Sequence, residues 1–458
     1  MANTELKKRV WGWMAFDWAA QPFYTLGWTF IFAPYFAVVA TQYFMGAGLD
    51  EATADAQSQA LWSWGQTATG LLIAITAPFI GAYADSSGRR IPYVVGFSIL
   101  FVLSACFMWV LQPDGTGLYL ALAMFCVAFI AAEFALIFTN ALLPSLGPSD
   151  EVGKISGAGL AIGYAGGVVS LVIMLLFFAE GDAGKTFIGL DPILGLDADA
   201  REGTRSVGPF TALWFALFMI PFFLWVREDT SQHQKTSVSA ALSELRLSFG
   251  SIVKRRSLAC YLGSSMFYRD ALNGLYSFGG VYAALVLDWS ITMIGVFGIT
   301  GALAATLFTY VGGVCDKRFG PKPVIIFCIF ALVSVCISLV AMSREMFFGV
   351  PLPEGSAVPD IVMYICGAVI GGAGGALQGA SRSLMVRHAD PERPTEAFGF
   401  FALSGKATAF LAPALIGITT TITNSPRLGI APVVGLFLLG LILLRWVNPK
   451  GEVYETST

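Results

Sequence analysis

The sequence predicts an all-α integral membrane protein with twelve transmembrane helices in two parallel six-helix repeats. Three observations predict it: the composition, twelve long apolar runs, and a loop motif that recurs half a chain later. Of 458 residues, 56% are hydrophobic and 12% charged, with a mean hydropathy of +0.71. A soluble chain is about a quarter charged. A crossing of the hydrocarbon needs roughly 20 mostly apolar residues. Backbone groups in lipid have no water to bond, so each crossing should be a helix.

Span 1 (11–39) follows Lys7, Lys8 and Arg9. It is too long for a signal-peptide core and lacks a small-residue cleavage site, so it reads as a retained helix. Spans 2 (60–83) and 3 (92–111) flank GAYADSSGRR at 81–90. Span 4 covers 118–144 and span 5 covers 155–179, with Gly159, Gly163 and Gly167 on one face. The loop at 180–206 is acidic and aperiodic and receives no assignment; span 6 is 207–226. The polar segment 227–256 spaces Val238, Leu242, Leu245, Phe249 and Ile252 three or four apart before KRR at 254–256. It reads either as an amphipathic helix on the inner leaflet or as an unstructured linker. Span 7 is 257–287 and span 8 is 291–313, followed by GGVCDKRFGPK at 312–322. Span 9 is 323–342. Span 10 (360–386) carries Gly367, Gly371, Gly375 and Gly379, a stripe that lets helix backbones approach. Spans 11 (397–422) and 12 (428–447) complete the set.

The repeat divides the chain. Gly81 and Asp85 share the spacing G-x-x-x-D with Gly312 and Asp316, and a glycine with basic residues follows each: Gly88, Arg89 and Arg90 in the first copy, Lys317, Arg318 and Gly320 in the second. Asn140 and Arg382 are 242 residues apart, as are Gly163-Tyr164 and Gly405-Lys406. The expected domains are 1–226 and 257–458, each a six-helix bundle, joined by the linker 227–256. Parallel repeats of this kind are a transporter architecture.

Sorting the 27 Lys and Arg residues by these spans, with Arg445 at the inner end of span 12 counted on the inner side, puts 19 on the side of the N-terminus, 5 on the other and 3 within the membrane. That excess predicts cytoplasmic termini in an inner or plasma membrane. A net charge of −3 gives nucleic acid no electrostatic footing. The seven cysteines fall in spans or at their inner ends without CxxC spacing, so neither disulfides nor a metal site is expected. AEGDAGKT at 179–186 resembles a phosphate-binding loop but has Ala179 in place of the first glycine and no strand before it. No cofactor is expected.

The sequence G-x-x-x-D-x-x-G-R-R after span 2, with the six-plus-six repeat, resembles the major facilitator superfamily across the whole chain. GWMAFDWAAQPFYTLGWTFIFAPYF (12–36), GLAIGYAGG (159–167), MFYRDALNGLYSFGGVYA (266–283) and GGALQGASRSLMVR with PTEAFGFFALSGKATAFLAP (374–413) resemble its vacuole-effluxer branch, whose fungal members export amino acids from vacuoles. The resemblance implies a latch on the cytoplasmic side. Asp85 would lie at the start of span 11 near Pro394 to Phe398, with Arg89 and Arg90 adding ion pairs. Asp316, Lys317 and Arg318 would mirror this at span 5.

Six charged residues fall well inside spans: Asp17 (span 1), Glu133 (span 4), Arg269 and Asp270 (span 7), Arg382 (span 10) and Lys406 (span 11). An ion at mid-span costs roughly 2.5–3.5 kcal/mol on insertion scales, so such groups face a wet cavity or a partner. In the superfamily, spans 1, 4, 7 and 10 line the central cavity. Arg269 and Asp270 point about 100° apart, so one is expected to face the cavity and the other to pair with another helix. Three carboxylates and three cations suit a zwitterion, with Asn140, Tyr164, Asn273 and Gln378 completing the cavity alongside Trp18, Tyr24, Tyr268 and Tyr276. His233 and His388 are expected outside the buried region. A proton carrier would then be Asp17, Glu133 or Asp270. The sequence thus predicts a monomer that moves a small polar or amino-acid-like solute by alternating access, with protons among its candidate partners. A multidrug or other metabolite exporter is the alternative on the same fold. A membrane-embedded enzyme is disfavoured for want of a catalytic cluster, and a channel because it needs no duplicated latch.

Overall fold

The computed structural model describes residues 2–87, 89–148, 150–181, 184–228, 254–287, 289, 291–423 and 425–451. Gly88, His233 and almost all of the linker 227–256 lie outside the described residues. The helices are α1 (Ala2–Pro22), α2 (Phe32–Gly46), α3 (Glu51–Ser87), α4 (Ile91–Phe107), α5 (Leu118–Ala141), α6 (Val152–Ile173), α7 (Glu202–Arg205), α8 (Val207–Phe218) and α9 (Ile220–Trp225). They continue with α10 (Arg256–Leu287), α11 (Ile291–Phe319), α12 (Pro321–Val340), α13 (Val358–His388), α14 (Pro394–Ala407), α15 (Leu411–Thr423), α16 (Pro426–Gly429) and α17 (Ala431–Leu444). A short hairpin, β1 (Met346–Phe347) and β2 (Val350–Pro351), sits in the loop after α12.

Among the described residues, eleven segments are long and apolar enough to cross a membrane. The twelfth expected span is α10, whose 32 residues reach about 48 Å at 1.5 Å per residue. Ser264, Ser265, Arg269, Asp270 and Asn273 dilute its apolar character. Span 1 is longer than the sequence suggests, running from Thr4 to Gly46. It changes to a π-helical stretch at Phe23–Phe30 and turns at Ile31. Span 6 is assembled from α7, α8 and α9, with Pro221 removing a donor at the last junction. Span 11 is broken at Thr408–Phe410 into α14 and α15.

The chain forms two compact units. The first comprises Met1–Ile75, Gly88–Thr139 and Ile162–His233. Its core is aromatic: Phe125 stacks on Phe23 with centroids 5.3 Å apart and on Phe32 at 5.7 Å, while Trp62 leans on it at 4.7 Å. The indole of Trp13 donates to the carbonyl of Thr139 at 2.7 Å, tying α1 to α5.

The second unit comprises Thr76–Ser87, Asn140–Ala161 and Gln234–Thr458. It therefore takes in the end of α3, the end of α5 and the start of α6, segments that belong by sequence to the first repeat. The reason is the packing around the two loop motifs described below. Within this unit α11 and α13 run close together: a side chain at Gly371 would strike the Gly301 carbonyl, and one at Gly312 would strike Ala376. The glycine stripe thus does what its spacing predicts.

Candidate functional site: buried charges and duplicated motif ends

The first motif docks on the start of α14. Asp85 accepts a hydrogen bond from the backbone N–H of Glu396 at 2.8 Å. Glu396 is the third residue of α14, so the carboxylate satisfies a donor that the helix leaves open and lies at its positive end. Gly81 permits the approach: a Cβ there would sit 2.8 Å from the Thr395 carbonyl oxygen. Gly399 is packed in the same way on the carbonyl of Ala77.

The second motif docks on the start of α6. Asp316 is 1% exposed and lies against Gly153, the second residue of that helix, where any side chain would collide with its carboxylate. Its nearest cation is Arg387, at 3.9 Å. Lys317 pairs with Glu151 just ahead of α6. Arg318 is exposed and lies over the Phe319 ring. Gly320, at φ +86°, occupies the left-handed conformation that the turn from α11 into α12 requires. Span 2 on span 11 and span 8 on span 5 are the same contact under exchange of the repeats. Arg89 is exposed. Arg90 has a different local setting from the one the resemblance implies, because Glu228 reaches it: the Glu228 carboxylate accepts from the backbone N–H groups of Arg90 and Ile91 at 2.8–2.9 Å, and lies 3.9 Å from the guanidinium.

Arg382 is buried beside these contacts. Its Nη1 donates to Asn140 Oδ1 at 3.2 Å, its Nε to Ser156 Oγ at 3.1 Å and its Nη2 to the Ser156 carbonyl at 2.8 Å. Ser156 in turn donates to the Gly379 carbonyl at 2.9 Å. Asn140 and Arg382 occupy matching places in the two repeats, and the structure bonds one to the other. Ser156 follows Gly153 by three residues on α6, so these bonds join Arg382 to the helix start that Asp316 reaches.

In the first unit, Asp17 is buried in α1 next to Gly163, which a Cβ would bring to 3.2 Å from the Asp17 Cβ. Glu133 on α5 is half-buried and accepts from the Tyr24 hydroxyl at 3.3 Å. Tyr24 belongs to the π-helical stretch, a geometry that often marks functional positions. Tyr164 is half-buried on α6. Trp18 stacks on Trp214 at 5.6 Å and its carbonyl accepts the Trp214 indole, which makes it a packing residue.

In the second unit, Arg269 and Asp270 both turn to span 11. The Arg269 guanidinium lies 4.2 Å over the Phe401 ring, donates to the Phe401 carbonyl at 2.9 Å, and fits into the space left by Gly405. Asp270 is fully buried and accepts from the N–H of Ala412 at 2.9 Å. Ala412 is the second residue of α15, so Asp270 caps the half-helix that begins after the break. Its other oxygen has no hydrogen-bond partner. Lys406, in the last turn of α14, is half-buried; Gln378 is half-buried and Asn273 and Tyr276 are exposed.

His388 departs from the sequence reading: it is buried, at the end of α13. Its Nδ1 lies 3.0 Å from the Leu384 carbonyl, which only accepts, so Nδ1 carries the proton and Nε2 accepts from Ser257 Oγ at 2.7 Å. Ser257 also accepts from the N–H of Asn448, and the ring stacks on Tyr261. A helix-end position looked exposed in the sequence because the segment that covers it, around Asn448, is 60 residues away in the chain. The sequence reading also missed Ser381, which accepts from the Tyr268 hydroxyl at 2.7 Å through its side chain and from Tyr261 at 2.5 Å through its carbonyl. Serine at a helical position carries no signal that separates this role from packing.

Comparison with known proteins fits this arrangement. The family model described as vacuole effluxer Atg22 like matches residues 5–453. An uncharacterized MFS-type transporter, YxiO of Bacillus subtilis, is 23% identical over 451 residues, 97% of this chain and 95% of its own. Autophagy-related protein 22 of Cryptococcus neoformans is 22% identical over 300 residues, 64% of this chain; the matched part is 48% of the fungal protein, about half its length. Among solved structures, the E. coli fucose:proton symporter FucP superposes with a TM-score of 0.68 at 13% identity, covering 98% of this chain and 99% of that one. With the twelve long helices and the duplicated docking of the motifs, the chain has the major facilitator fold. It belongs to the vacuole effluxer Atg22-like family, as a multi-pass membrane protein and a secondary transporter of small solutes.

Proposed function

We propose that the solute is an amino acid or a similar small zwitterion, exported from the cytoplasm. The observation that supports it most is the balance of charge carried within the spans: Asp17, Glu133 and Asp270 against Arg269, Arg382 and Lys406. A solute carboxylate suits such cations and a solute ammonium such carboxylates. Asn273, Gln378, Tyr164 and Tyr24 would supply neutral hydrogen bonds.

The working units would be the repeats 1–226 and 257–458, moving as six-helix bodies joined by 227–256. The motif contacts of Gly81, Asp85, Arg89 and Arg90 and of Asp316, Lys317, Arg318 and Gly320 would form the cytoplasmic gate that opens and closes in each cycle. The Lys and Arg distribution supports cytoplasmic termini. Asp17, Glu133 and Asp270 are the groups suited to carry a proton if export is coupled, and the chain would act as a monomer.

The test is efflux from proteoliposomes loaded with labelled neutral, basic and acidic amino acids, with and without a pH gradient. Neutral amino acids should leave faster than from empty liposomes, and E133Q or R269Q should abolish the difference. Efflux of hydrophobic cations but no amino acid would overturn the proposal.

A further inference from the structure

The segment after α6 that sequence reading leaves unassigned is ordered and apolar on its outside. Phe187 is 81% and Leu194 84% exposed, and Ile188, Leu190 and Ile193 are exposed as well. Together they present on the order of 500 Å² of apolar surface, the size of patch that often marks an interaction site. The segment is held by its own backbone. Thr186 donates to the Leu190 carbonyl at 2.8 Å, Gly189 to Thr186 at 2.8 Å and Gly181 to Lys185 at 2.9 Å. Its one acid within this stretch, Asp191, pairs with Lys185 at 2.5 Å, so the apolar side chains are not interrupted by an unbalanced charge. Leu194 is kept at φ +65°, a conformation rare for a residue with a side chain, and this turns the isobutyl group outward.

The height of the loop is fixed by one bond. The N–H of Phe187 donates to the Leu175 carbonyl at 3.0 Å. Leu175 lies three residues before the end of the crossing segment Val152–Phe178. That segment is 27 residues, about 40 Å, against a hydrocarbon layer of about 30 Å and about 40–45 Å with headgroups. One turn inside its end is the boundary between headgroups and acyl chains. On the same helix Val169, Val172 and Phe177 are exposed, as lipid-facing residues of a span must be. The Phe187–Leu175 bond therefore sets the loop's exposed apolar side chains at the level of the membrane interface.

We propose that residues 186–195 form a monotopic anchor, with Phe187, Ile188, Leu190, Ile193 and Leu194 seated in the interface of the leaflet opposite the motif turns. The bonds donated by Thr186, Phe187 and Gly189 hold the turn in place, and the headgroup level leaves the remaining polar groups within reach of water. The partner is the phospholipid surface itself.

The experiment places a fluorophore sensitive to polarity on F187C and, separately, on L194C in the full-length protein in liposomes. Labelled unsubstituted protein supplies the background from the native cysteines, and E354C, on the exposed loop after the β-hairpin, is the aqueous control. At 187 and 194 the emission should shift to the blue, be quenched by phospholipid carrying a nitroxide near the headgroup, and resist aqueous iodide. E354C should behave oppositely. Iodide quenching at both loop positions with no effect of the nitroxide lipid would overturn the anchor. So would self-quenching that rises with protein density while nitroxide lipid has no effect, which would assign the face to a second copy of the chain.

Discussion

Replacing Arg382 by methionine tests whether this buried cation belongs to the motif ends or to the solute. The change removes three hydrogen bonds and leaves Asn140 Oδ1 and the Ser156 carbonyl without their donors. Hydrogen bonds to a charged group contribute about 1.5–3 kcal/mol each, and breaking one side of a buried polar network costs about 3–5 kcal/mol. Methionine recovers part of the packing, so a net loss of about 3 kcal/mol is expected for the state in which α13 is joined to α5 and α6. That corresponds to a shift of roughly 100-fold in the equilibrium. Hydrogen–deuterium exchange read peptide by peptide is the assay, alongside solute affinity. Amide exchange at 152–157 should accelerate in R382M, the melting temperature should fall, and the dissociation constant of the solute should stay within about twofold of wild type, a difference of under half a kcal/mol. N140D, which sets a carboxylate 3.2 Å from the guanidinium nitrogen, should act in the opposite direction, slowing exchange and turnover together. Unchanged exchange at 152–157 with a collapse of solute affinity would refute the assignment and return Arg382 to the solute.

Three further outcomes are expected. D85N keeps an acceptor for the Glu396 N–H but loses the charge at the start of α14, about 1 kcal/mol or fivefold in the docked population, so turnover should change while melting barely moves; transport at the wild-type rate would remove Asp85 from the gate. G153A drives a methyl group into Asp316 and should lower stability by about 1–3 kcal/mol in chemical or thermal denaturation, and a variant as stable as wild type would mean the contact is loose. D270A should melt below D270N, because only asparagine retains an acceptor for Ala412 N–H, a difference of about 1–3 kcal/mol; equal melting of the two would show that the cap contributes nothing.

The spans were legible because hydrocarbon imposes one solution on every stretch that enters it, and a run of apolar residues at the right length is enough to read it. The docking of the first motif was legible through resemblance: Asp85 reaches Glu396, inside the stretch Pro394 to Phe398 named for it. The matched positions Asn140 and Arg382 were also visible as a spacing of 242. What spacing could not convey is that the two matched residues touch, with Arg382 Nη1 3.2 Å from Asn140 Oδ1. For Arg269 and Asp270 the expected division was that one would face the cavity and the other pair across to another helix; both contact span 11, and Asp270 does so at the helix start that the break at Thr408–Phe410 creates. No proline stands in the break itself. Pro413 lies just beyond it, and its effect on the upstream backbone is not separable in sequence from an ordinary position in the first turn of a helix. His388 was misplaced for the same kind of reason, since burial of a helix end depends on a distant segment folding over it.

Four carboxylates share an arrangement that the linear sequence hides. Asp85 lies at the start of α14, Asp316 at the start of α6, Asp270 at the start of α15 and Glu228 at the start of α4, each helix start being distant in the chain. The partners are 311, 142 and 137 residues apart for the three hydrogen-bonded cases. A carboxylate in low dielectric needs compensation, and a salt bridge would fix two side chains to each other. A helix start offers several unpaired N–H groups and half a positive charge without requiring a buried cation. The bond is then made to a whole helix, so breaking it moves a rigid element rather than a side chain. For Asp85 and Asp316 that element begins span 11 or span 5, the two spans that also carry Gly405 and Gly163 against Arg269 and Asp17. If the motif contacts act as the proposed gate, a helix released at its motif end would carry the packing surface of a buried charge with it, a mechanical route to the solute that needs no chain of intermediate side chains.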